Sequence, residues 1–385
     1  MSLNTTSTPG YTFAASEGAT ASTDSEPLSY LYPHHSPALA ASLIATAEAL
    51  VNPRGRGIYA TDETVEGIEA RLLAAEGIEL KSKVYTDAQN RERRRRWREC
   101  LYESLPTDYI SGVILYHESL IDFQLAPTLI NRGIIPGVRA DTDAHPLPIS
   151  PLEPATQGLD DLLPRLQAAY KAGARFSKWR APILCNSSTL PTQAALEVQA
   201  ESLARFAAIS QQAGLVPIVE PDVDFAEDAD LKKSVEVHVK IISLIYTRCA
   251  AYGVLLEGSL IKPSFPQPGL KHPSRSTTPV EAIGLATATV LARSVPVAVP
   301  GVVFLSGGLS DSDAVKYLNA VNSVVNKAPV GSPLSLSRLP NLTFSFGRGL
   351  QGGAMSKWVR DDETGAKQAF EARAKACWLA AKGDL

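Results

Sequence analysis

The segment GVLLEGSLIKP, residues 253–263, is a short apolar run that ends on a lysine and a proline, and it is typical of a buried β-strand. Other apolar runs of this kind recur along the chain at 57–62, 111–117, 134–141, 174–180, 215–221, 301–308 and 341–348. Helical patterns lie between them, such as 158–172, 193–213, 229–251, 279–294 and 310–326. Strands that alternate with helices form a parallel sheet covered on both faces, which explains strands that are apolar throughout. Eight such units predict an α/β fold in which the sheet closes into a (β/α)8 barrel.

The competing architecture is an open, doubly wound sheet. Such a sheet usually carries a glycine-rich phosphate-binding turn directly after its first strand. Here the first run, 57–62, continues as Thr61-Asp62-Glu63-Thr64, which contains no glycine. The barrel is therefore the better interpretation.

The composition limits the kinds of partner that the chain can bind. The chain has 385 residues, 45% of them apolar and 20% charged, with a net charge of -3, and its pI is about 6.1. These values are ordinary for a globular protein and argue against nucleic-acid binding. No run approaches the roughly 18 apolar residues of a membrane span. We expect neither nucleic acid nor membrane as a partner.

The N-terminal region differs from the rest of the chain. Residues 1–28 are rich in Ser, Thr and Ala, and no Lys or Arg precedes Arg54. A secretory signal begins with basic residues and a mitochondrial presequence is rich in arginine, so neither is indicated. We expect a flexible extension over 1–28, a single barrel domain over 29–385, and a cytoplasmic protein.

Cysteine and histidine spacing indicates neither a disulfide framework nor a metal site. The four cysteines, at 100, 185, 249 and 377, are far apart and form no CxxC pair, as expected for free thiols in a reducing compartment. The six histidines are scattered without ligand spacing. We expect no metal and no cofactor, and we interpret His117-Glu118 as a structural hydrogen-bonded pair.

An arginine-rich run, RERRRRWR at 91–98, lies inside a helical pattern. Such a run can bind nucleic acid, but in an acidic protein it more often forms a solvated helix face. We predict the solvated face.

Polar residues cluster where the apolar runs end. In a (β/α)8 barrel the catalytic side chains come from the carboxyl ends of several strands. The residues at these positions are Asp62, His117, Arg139, Lys178, Arg180, Glu220, Asp222, Lys262, Ser306, Ser345 and Arg348. Their recurrence at one end of successive runs predicts a site there.

Lys262 is the candidate nucleophile. Considered alone, a lysine at a strand end is usually a surface residue whose stem covers apolar neighbours. A desolvated lysine near a second cation loses its proton more easily and then attacks carbonyl groups. Lys178 is the candidate cation, because it ends a nearby strand. Strand alternation places Lys178 and Arg180 on one face and Trp179 on the other.

Carboxylates at the same strand ends are candidate proton shuttles. Forming an imine requires a proton on the departing carbinolamine hydroxyl, which a carboxylic acid can supply. Glu220 and Asp222 share one face of their strand, and Asp62 ends the first strand. Each of these carboxylates could also form only a structural salt bridge.

The last two strand ends have the composition of a phosphate site. The loops read LSGG at 305–308 and SFGR at 345–348. Barrels often bind phosphate with the loops after strands seven and eight, where glycines let backbone N–H groups approach the anion. The guanidinium group of an arginine such as Arg348 can donate two charge-assisted hydrogen bonds to phosphate oxygens. These glycines could also serve only as turns.

Eight segments together resemble class I fructose-bisphosphate aldolases. They are GIYATDET (57–64), GVILYHESL (112–120), TQGLDDL (156–162), FSKWR (176–180), ARFAAISQQAGLVPIVEP (204–221), LLEGSLIKP (255–263), FLSGG (304–308) and LTFSFGR (342–348). The resemblance extends from about residue 38 to 380. It implies reversible, metal-independent cleavage of fructose 1,6-bisphosphate to dihydroxyacetone phosphate and glyceraldehyde 3-phosphate, usually by a homotetramer.

The resemblance also implies roles for individual residues. Lys262 is similar to the family's Schiff-base lysine, Glu220 to the group that dehydrates the carbinolamine with Lys178 beside it, and Asp62 to the acceptor of the C4 hydroxyl proton. Asp222 completes the implied catalytic set. The implied substrate-binding and phosphate-binding residues are Ser306, Gly307, Gly347, Arg348, Arg180, Arg139, Thr64 and Arg71.

Four positions depart from the family pattern. Arg139 stands where a lysine usually serves the sugar's far phosphate, and Gly67 replaces a serine near the same phosphate, although Thr64 keeps a hydroxyl nearby. Asp222 replaces a glutamate. The sequence ends at Leu385 without the terminal tyrosine that animal and plant members use for proton exchange on the enamine.

Two further hypotheses follow. The departures at Arg139 and Gly67 suggest a paralogue that uses another aldehyde, and would therefore cleave sedoheptulose 1,7-bisphosphate or fructose 1-phosphate. A binding protein that keeps the barrel without the reaction is the third hypothesis, and the retained lysines and carboxylates argue against it.

Overall fold

A computed structural model of the chain describes residues 34–79, 84–329 and 336–385. The predicted flexible extension over 1–28, and its boundary with the barrel domain at residue 29, lie outside these residues.

The described residues contain ten strands, eight of which close into the predicted barrel. The strands are β1 (Gly57–Thr61), β2 (Ile110–Leu115), β3 (Ile135–Arg139), β4 (Ala144–Leu147), β5 (Ser150–Thr156), β6 (Phe176–Ile183), β7 (Val216–Val223), β8 (Leu260–Ile261), β9 (Gly301–Phe304) and β10 (Asn341–Phe346). The order around the barrel is β1, β2, β3, β6, β7, β8, β9 and β10, and every neighbouring pair is parallel. The (β/α)8 prediction is confirmed.

The eleven α-helices of the described residues cover the outside of the barrel and one of its ends. They are α1 (Pro37–Val51), α2 (Val65–Glu76), α3 (Asp87–Tyr102), α4 (Ala126–Ile130), α5 (Leu162–Lys171), α6 (Gln193–Gln212), α7 (Leu231–Ala251), α8 (Val280–Ser294), α9 (Asp311–Lys327), α10 (Arg348–Trp358) and α11 (Glu363–Ala380). No helix in the described ranges is long and apolar enough to cross a membrane.

Helix α1 closes the amino-terminal end of the barrel. Its apolar residues, including Leu43 and Leu50, belong to the same core cluster as the residues that point into the barrel. A Cβ atom on Gly112 of β2 would lie 2.7 Å from Leu50, so the helix and the strand meet without room for a side chain. Only the opposite end, where the strands finish, is left for a site.

Alternation along each strand separates an apolar interior from a charged rim. The interior cluster contains Ala60, Phe176, Ile218 and Leu260. Successive side chains of a strand point to opposite faces, so the residue two positions later faces the same interior. Those residues are Asp62, Lys178, Glu220 and Lys262, and all four line one cavity. The apolar layers therefore form the floor on which the charged groups rest.

Strand β8 is much shorter than the predicted run 253–263. Residues Leu256–Gly258 form a 3-10 turn, and only Leu260–Ile261 pair as a strand. The buried amide of Gln211 on α6 donates to the Leu255 and Gly258 carbonyls and accepts from the Leu255 N–H. A side chain thus takes the place of a strand partner, which an apolar pattern cannot reveal.

A hairpin formed by β4 and β5 was not predicted. The two strands pair antiparallel outside the barrel, and most of their residues are exposed or half-buried. Prolines at 146, 148, 151 and 154 interrupt the alternation that normally signals a strand.

The interpretation of the arginine run as a solvated face is wrong for two of its members. Arg94 and Arg98 of α3 are buried. Arg94 bonds to Glu69 and to Glu118, and Arg98 lies 3.0 Å from Glu63. Buried guanidinium groups require such partners. Glu118 therefore pairs with Arg94, and the predicted His117–Glu118 pair is not formed.

We predict that Gly137→Ala destabilises the barrel. A Cβ at this position of β3 would lie 2.3 Å from the ring of Phe176, which is fully buried and cannot withdraw. Overpacking of this kind lowers the free energy of unfolding by about 1–3 kcal/mol. Thermal or chemical denaturation measures the change. Gly353→Ala in α10 is the control, because nothing lies within 4 Å of its Cβ position and alanine favours the helix. Equal stability of both variants would contradict this packing.

Candidate active site

A cavity of about 480 Å³ opens at the carboxyl ends of the barrel strands. It brings together almost every residue that the sequence singled out. The predicted residues that line it are Asp62, Arg71, Arg139, Lys178, Arg180, Glu220, Asp222, Lys262, Ser306, Gly307, Gly347 and Arg348.

His117 and Thr64 were predicted at the site but do not line the cavity. Thr64 has a structural role. It is the N-cap of α2, where its hydroxyl accepts a hydrogen bond from the Gly67 N–H at 3.1 Å. The side chain satisfies one of the unpaired donors at the helix start. Its contribution in this structure is to begin the helix that carries Arg71.

Lys178 is the centre of the charged rim. Its ammonium group is buried, and its Nζ lies 2.7 Å from Asp62 Oδ2, 3.2 Å from Glu220 Oε2 and 3.7 Å from Asp141 Oδ2. Burial alone would lower the pKa of Lys178, but the three carboxylates outweigh burial and raise it. Lys178 therefore remains a cation at neutral pH.

Lys262 shares a carboxylate with Lys178. Its Nζ lies 3.3 Å from Glu220 Oε1, while the other oxygen of Glu220 faces Lys178. Lys262 is buried, and its backbone N–H donates to the Val219 carbonyl at 2.8 Å, which fixes it beside β7. The surface-lysine alternative does not fit this position. Glu220 thus bridges the two amines.

The two lysines also control the carboxylates. Burial would raise the pKa values of Asp62 and Glu220, but Lys178 and then Lys262 reverse this effect, so both pKa values are lowered. Asp222 behaves differently, because burial, aided by Glu220, raises its pKa against the opposing effect of Arg180. The rim therefore holds carboxylates whose pKa values are shifted in opposite directions.

Two arginines on one side of the cavity are already paired. Arg180 donates to Asp222 through Nε at 2.8 Å, and its Nη2 lies 2.7 Å from the same oxygen. Arg139 donates through Nε to Asp141 at 2.8 Å and through Nη2 to the Thr142 carbonyl at 2.7 Å. Each guanidinium keeps further N–H groups for a ligand.

The other side of the cavity is built for an anion. Gly307 has a φ of +53°, which favours glycine, and a Cβ on Gly347 would lie 2.7 Å from the Ala60 carbonyl. Gly347 and Arg348 begin α10, and a helix N-terminus attracts negative charge. Among the described residues no carboxylate lies within 4.0 Å of Arg348, and burial together with Arg71 lowers its pKa.

Two residues of the site were missed by sequence reasoning. Asp141 is buried between Lys178 and Arg139, and Glu63 lines the cavity and contacts Arg71 at 3.7 Å and Arg98 at 3.0 Å. Asp141 lies just past the end of β3, two residues after Arg139, and it ends the predicted apolar run 134–141, so continued alternation could have found it. Glu63 follows Asp62 directly and carried no signal of its own.

Comparisons with known proteins identify the family of this chain. The family model for class-I fructose-bisphosphate aldolase matches residues 42–385. Fructose-bisphosphate aldolase C of Pan troglodytes is 39% identical over 364 residues, which cover 91% of this chain and 93% of the relative. Fructose-bisphosphate aldolase 1 of Caenorhabditis elegans is 38% identical over 351 residues, covering 89% and 90%.

A solved structure shows the same fold. It contains fructose-bisphosphate aldolase from Plasmodium falciparum in complex with TRAP and a small-molecule inhibitor, and it superposes with a TM-score of 0.81 at 34% identity. The match covers 91% of this chain and 96% of that one. This chain therefore belongs to the class I fructose-bisphosphate aldolase family.

Proposed function

We propose that this protein cleaves fructose 1,6-bisphosphate reversibly to dihydroxyacetone phosphate and glyceraldehyde 3-phosphate through a Schiff base on Lys262. The observation that carries the proposal is the bridge of Glu220 between Lys262 and Lys178, inside a cavity with an anion site at one side. The reaction is that of a lyase, and the steps below need no metal or cofactor.

The first step prepares the nucleophile and the acid together. Glu220 Oε1 lies 3.3 Å from Lys262 Nζ, close enough for the carboxylate to take a proton from the ammonium group. The neutral amine then attacks C2 of the ketose: its lone pair forms the new C–N bond, the C2=O π electrons move to the oxygen, and that oxygen takes the proton which the attacking nitrogen releases, giving the carbinolamine. Lys178 remains charged beside the other oxygen of Glu220, 3.2 Å away.

The second step uses the proton that Glu220 has gained. Glu220 gives it to the hydroxyl of the carbinolamine, which leaves as water while the nitrogen lone pair forms the imine. A carboxylic acid within hydrogen-bond reach accelerates such a step by about 10²–10⁴-fold.

Carbon–carbon cleavage then requires a base at the C4 hydroxyl. Asp62 accepts this proton, the C3–C4 bond breaks, and its electrons move to the imine nitrogen and leave an enamine. The lowered pKa of Asp62 keeps it ionised and available. Protonation of the enamine at C3 and hydrolysis release dihydroxyacetone phosphate.

Substrate orientation follows from the two sides of the cavity. We assign the C1 phosphate to Ser306, Gly307, Gly347 and Arg348, with Arg71 beside them, since this side carries the helix N-terminus. Arg180 and Arg139 then face the aldehyde half of the sugar. Asp222 holds Arg180 in place at 2.7 Å.

We also propose a cytoplasmic homotetramer. The support is the family resemblance together with four separate, buried and unpaired cysteines at 100, 185, 249 and 377, which suit a reducing compartment.

Trapping should identify the nucleophile. Reduction by borohydride in the presence of dihydroxyacetone phosphate converts the imine to a stable amine, and we expect mass spectrometry to find the adduct on Lys262. Lys271→Ala, which removes an exposed lysine outside the cavity, should leave the labelling unchanged. An adduct that persists in Lys262→Ala would contradict the proposal.

Replacing Lys178 should change both the rate and its pH dependence. In Lys178→Met, Asp62 and Glu220 lose the cation that lowers their pKa values, while burial still raises them. Both carboxylates then take up protons at higher pH. We expect kcat/KM to fall about 100-fold or more and the acid limb of its pH profile to move up by about 1–3 pH units.

The matched control for this measurement is Lys171→Met, since Lys171 is exposed at the end of α5. It should keep both the rate and the profile. An unchanged acid limb in Lys178→Met would show that Lys178 does not control these carboxylates.

Substrate preference should favour the bisphosphate. Comparing kcat/KM for fructose 1,6-bisphosphate, sedoheptulose 1,7-bisphosphate and fructose 1-phosphate tests the aldehyde side, where Arg139 and Gly67 depart from the family pattern. We expect fructose 1,6-bisphosphate to be preferred; its advantage over fructose 1-phosphate follows because Arg139 and Arg180 both retain N–H groups for a second phosphate. Equal or greater activity toward either of the others would support the paralogue hypothesis instead.

A further inference from the structure

The segment that follows Lys262 is buried but has no regular structure. Residues 262–269 belong to neither a strand nor a helix, and all of them are buried. Buried backbone groups need hydrogen-bond partners, so an irregular buried segment depends on specific contacts outside the strand ladder. Because Lys262 begins this segment, those contacts also fix the nucleophile.

Side chains supply several of these contacts. The Ser264 hydroxyl accepts from the Val223 N–H of β7 at 3.0 Å, and Ser234 Oγ on α7 accepts from the Gln267 N–H at 3.2 Å. Ser264 therefore extends the pairing of β7 and β8 beyond the two residues of β8. Serine hydroxyls thus hold the segment to both β7 and α7.

His238 on α7 completes this arrangement. Its Nδ1 lies 2.7 Å from the Ser234 carbonyl and its Nε2 lies 3.0 Å from Ser264 Oγ. A carbonyl can only accept, so Nδ1 carries the proton. Burial lowers the pKa of His238 to about 4, so the ring is neutral. The single Ser264 hydroxyl proton can be donated either to His238 Nε2 at 3.0 Å or to the Val223 carbonyl at 3.1 Å. In either case the oxygen of Ser264 accepts from the Val223 N–H.

We infer that His238 and Ser264 act together as positioning residues that hold the Lys262 amine against Glu220. The inference rests on the function proposed above, in which a proton passes between these two groups. The chain of contacts runs from α7 through His238 and Ser264 to β7, which carries Glu220 three residues before Val223. Neither residue lines the cavity, so neither touches the substrate.

A positioning role predicts a particular kinetic signature. A misplacement of about 1 Å at the reacting groups can slow a reaction by up to about 100-fold. The anion side of the cavity lies on other strands and stays intact. Ser264→Ala should therefore lower kcat about 10-fold to 100-fold with KM nearly unchanged, and should slow borohydride trapping on Lys262 in parallel.

Variants of each residue separate positioning from folding. Ser264→Thr keeps the hydroxyl, and His238→Gln keeps an acceptor for it, so each should recover most of the activity lost in Ser264→Ala and in His238→Ala. The double alanine variant should be no slower than Ser264→Ala alone, because the two residues act through one hydrogen bond. Ser294→Ala is the control, since it removes another buried serine bond on α8 outside the cavity.

The experiment measures kcat, KM, the trapping rate and the melting temperature of each variant. The inference is overturned if Ser264→Ala keeps kcat within twofold of the unmodified protein, or if the single losses add fully in the double variant. It is also overturned if the activity lost in the alanine variants only matches their loss of folded protein, and if Ser264→Thr and His238→Gln recover no activity beyond their own folded fraction. Absence of any adduct on Lys262 in the unmodified protein would instead overturn the proposed function itself.

Discussion

Glu220 lies between two buried amines, 3.3 Å from Lys262 and 3.2 Å from Lys178, and the rest of the site depends on this shared carboxylate. Two buried ammonium groups would repel each other and lack solvation without it. With it, one lysine can remain charged while the other passes its proton to Glu220. Asp62 and Asp141 complete the charge balance around Lys178. The same pairs that make this burial possible also lower the pKa values of Asp62 and Glu220.

The barrel makes this arrangement possible by alternation. Ala60, Phe176, Ile218 and Leu260 form apolar layers inside the barrel. The residues two positions later are, in the same order, Asp62, Lys178, Glu220 and Lys262, of which Asp62 and Lys262 lie just past the ends of β1 and β8. Because α1 covers the opposite end, the cavity opens on the side of the charged layer. The position of a side chain along its strand, rather than any local motif, determines whether it lines the cavity or packs in the core.

Much of this could be predicted from the sequence, because a parallel barrel repeats one simple pattern. Apolar runs that end on polar residues predicted the barrel strands and most of the polar residues that line the cavity, whereas Arg71 followed only from the family resemblance. Features set by single side chains could not be read in this way. Gln211 replaces a strand partner before β8, Arg94 and Arg98 are buried by glutamates distant in sequence, and His238 holds a segment that it reaches only in three dimensions. The hairpin of β4 and β5 was missed because its prolines obscure the alternation.

The central claim is that Glu220 carries the proton that converts the carbinolamine on Lys262 into an imine. Rapid mixing with dihydroxyacetone phosphate, followed by borohydride at set times, measures how fast the imine forms. We expect Glu220→Gln to bind dihydroxyacetone phosphate with nearly unchanged affinity but to form the imine at least about 100-fold more slowly. Imine formation at the rate of the unmodified protein would contradict it.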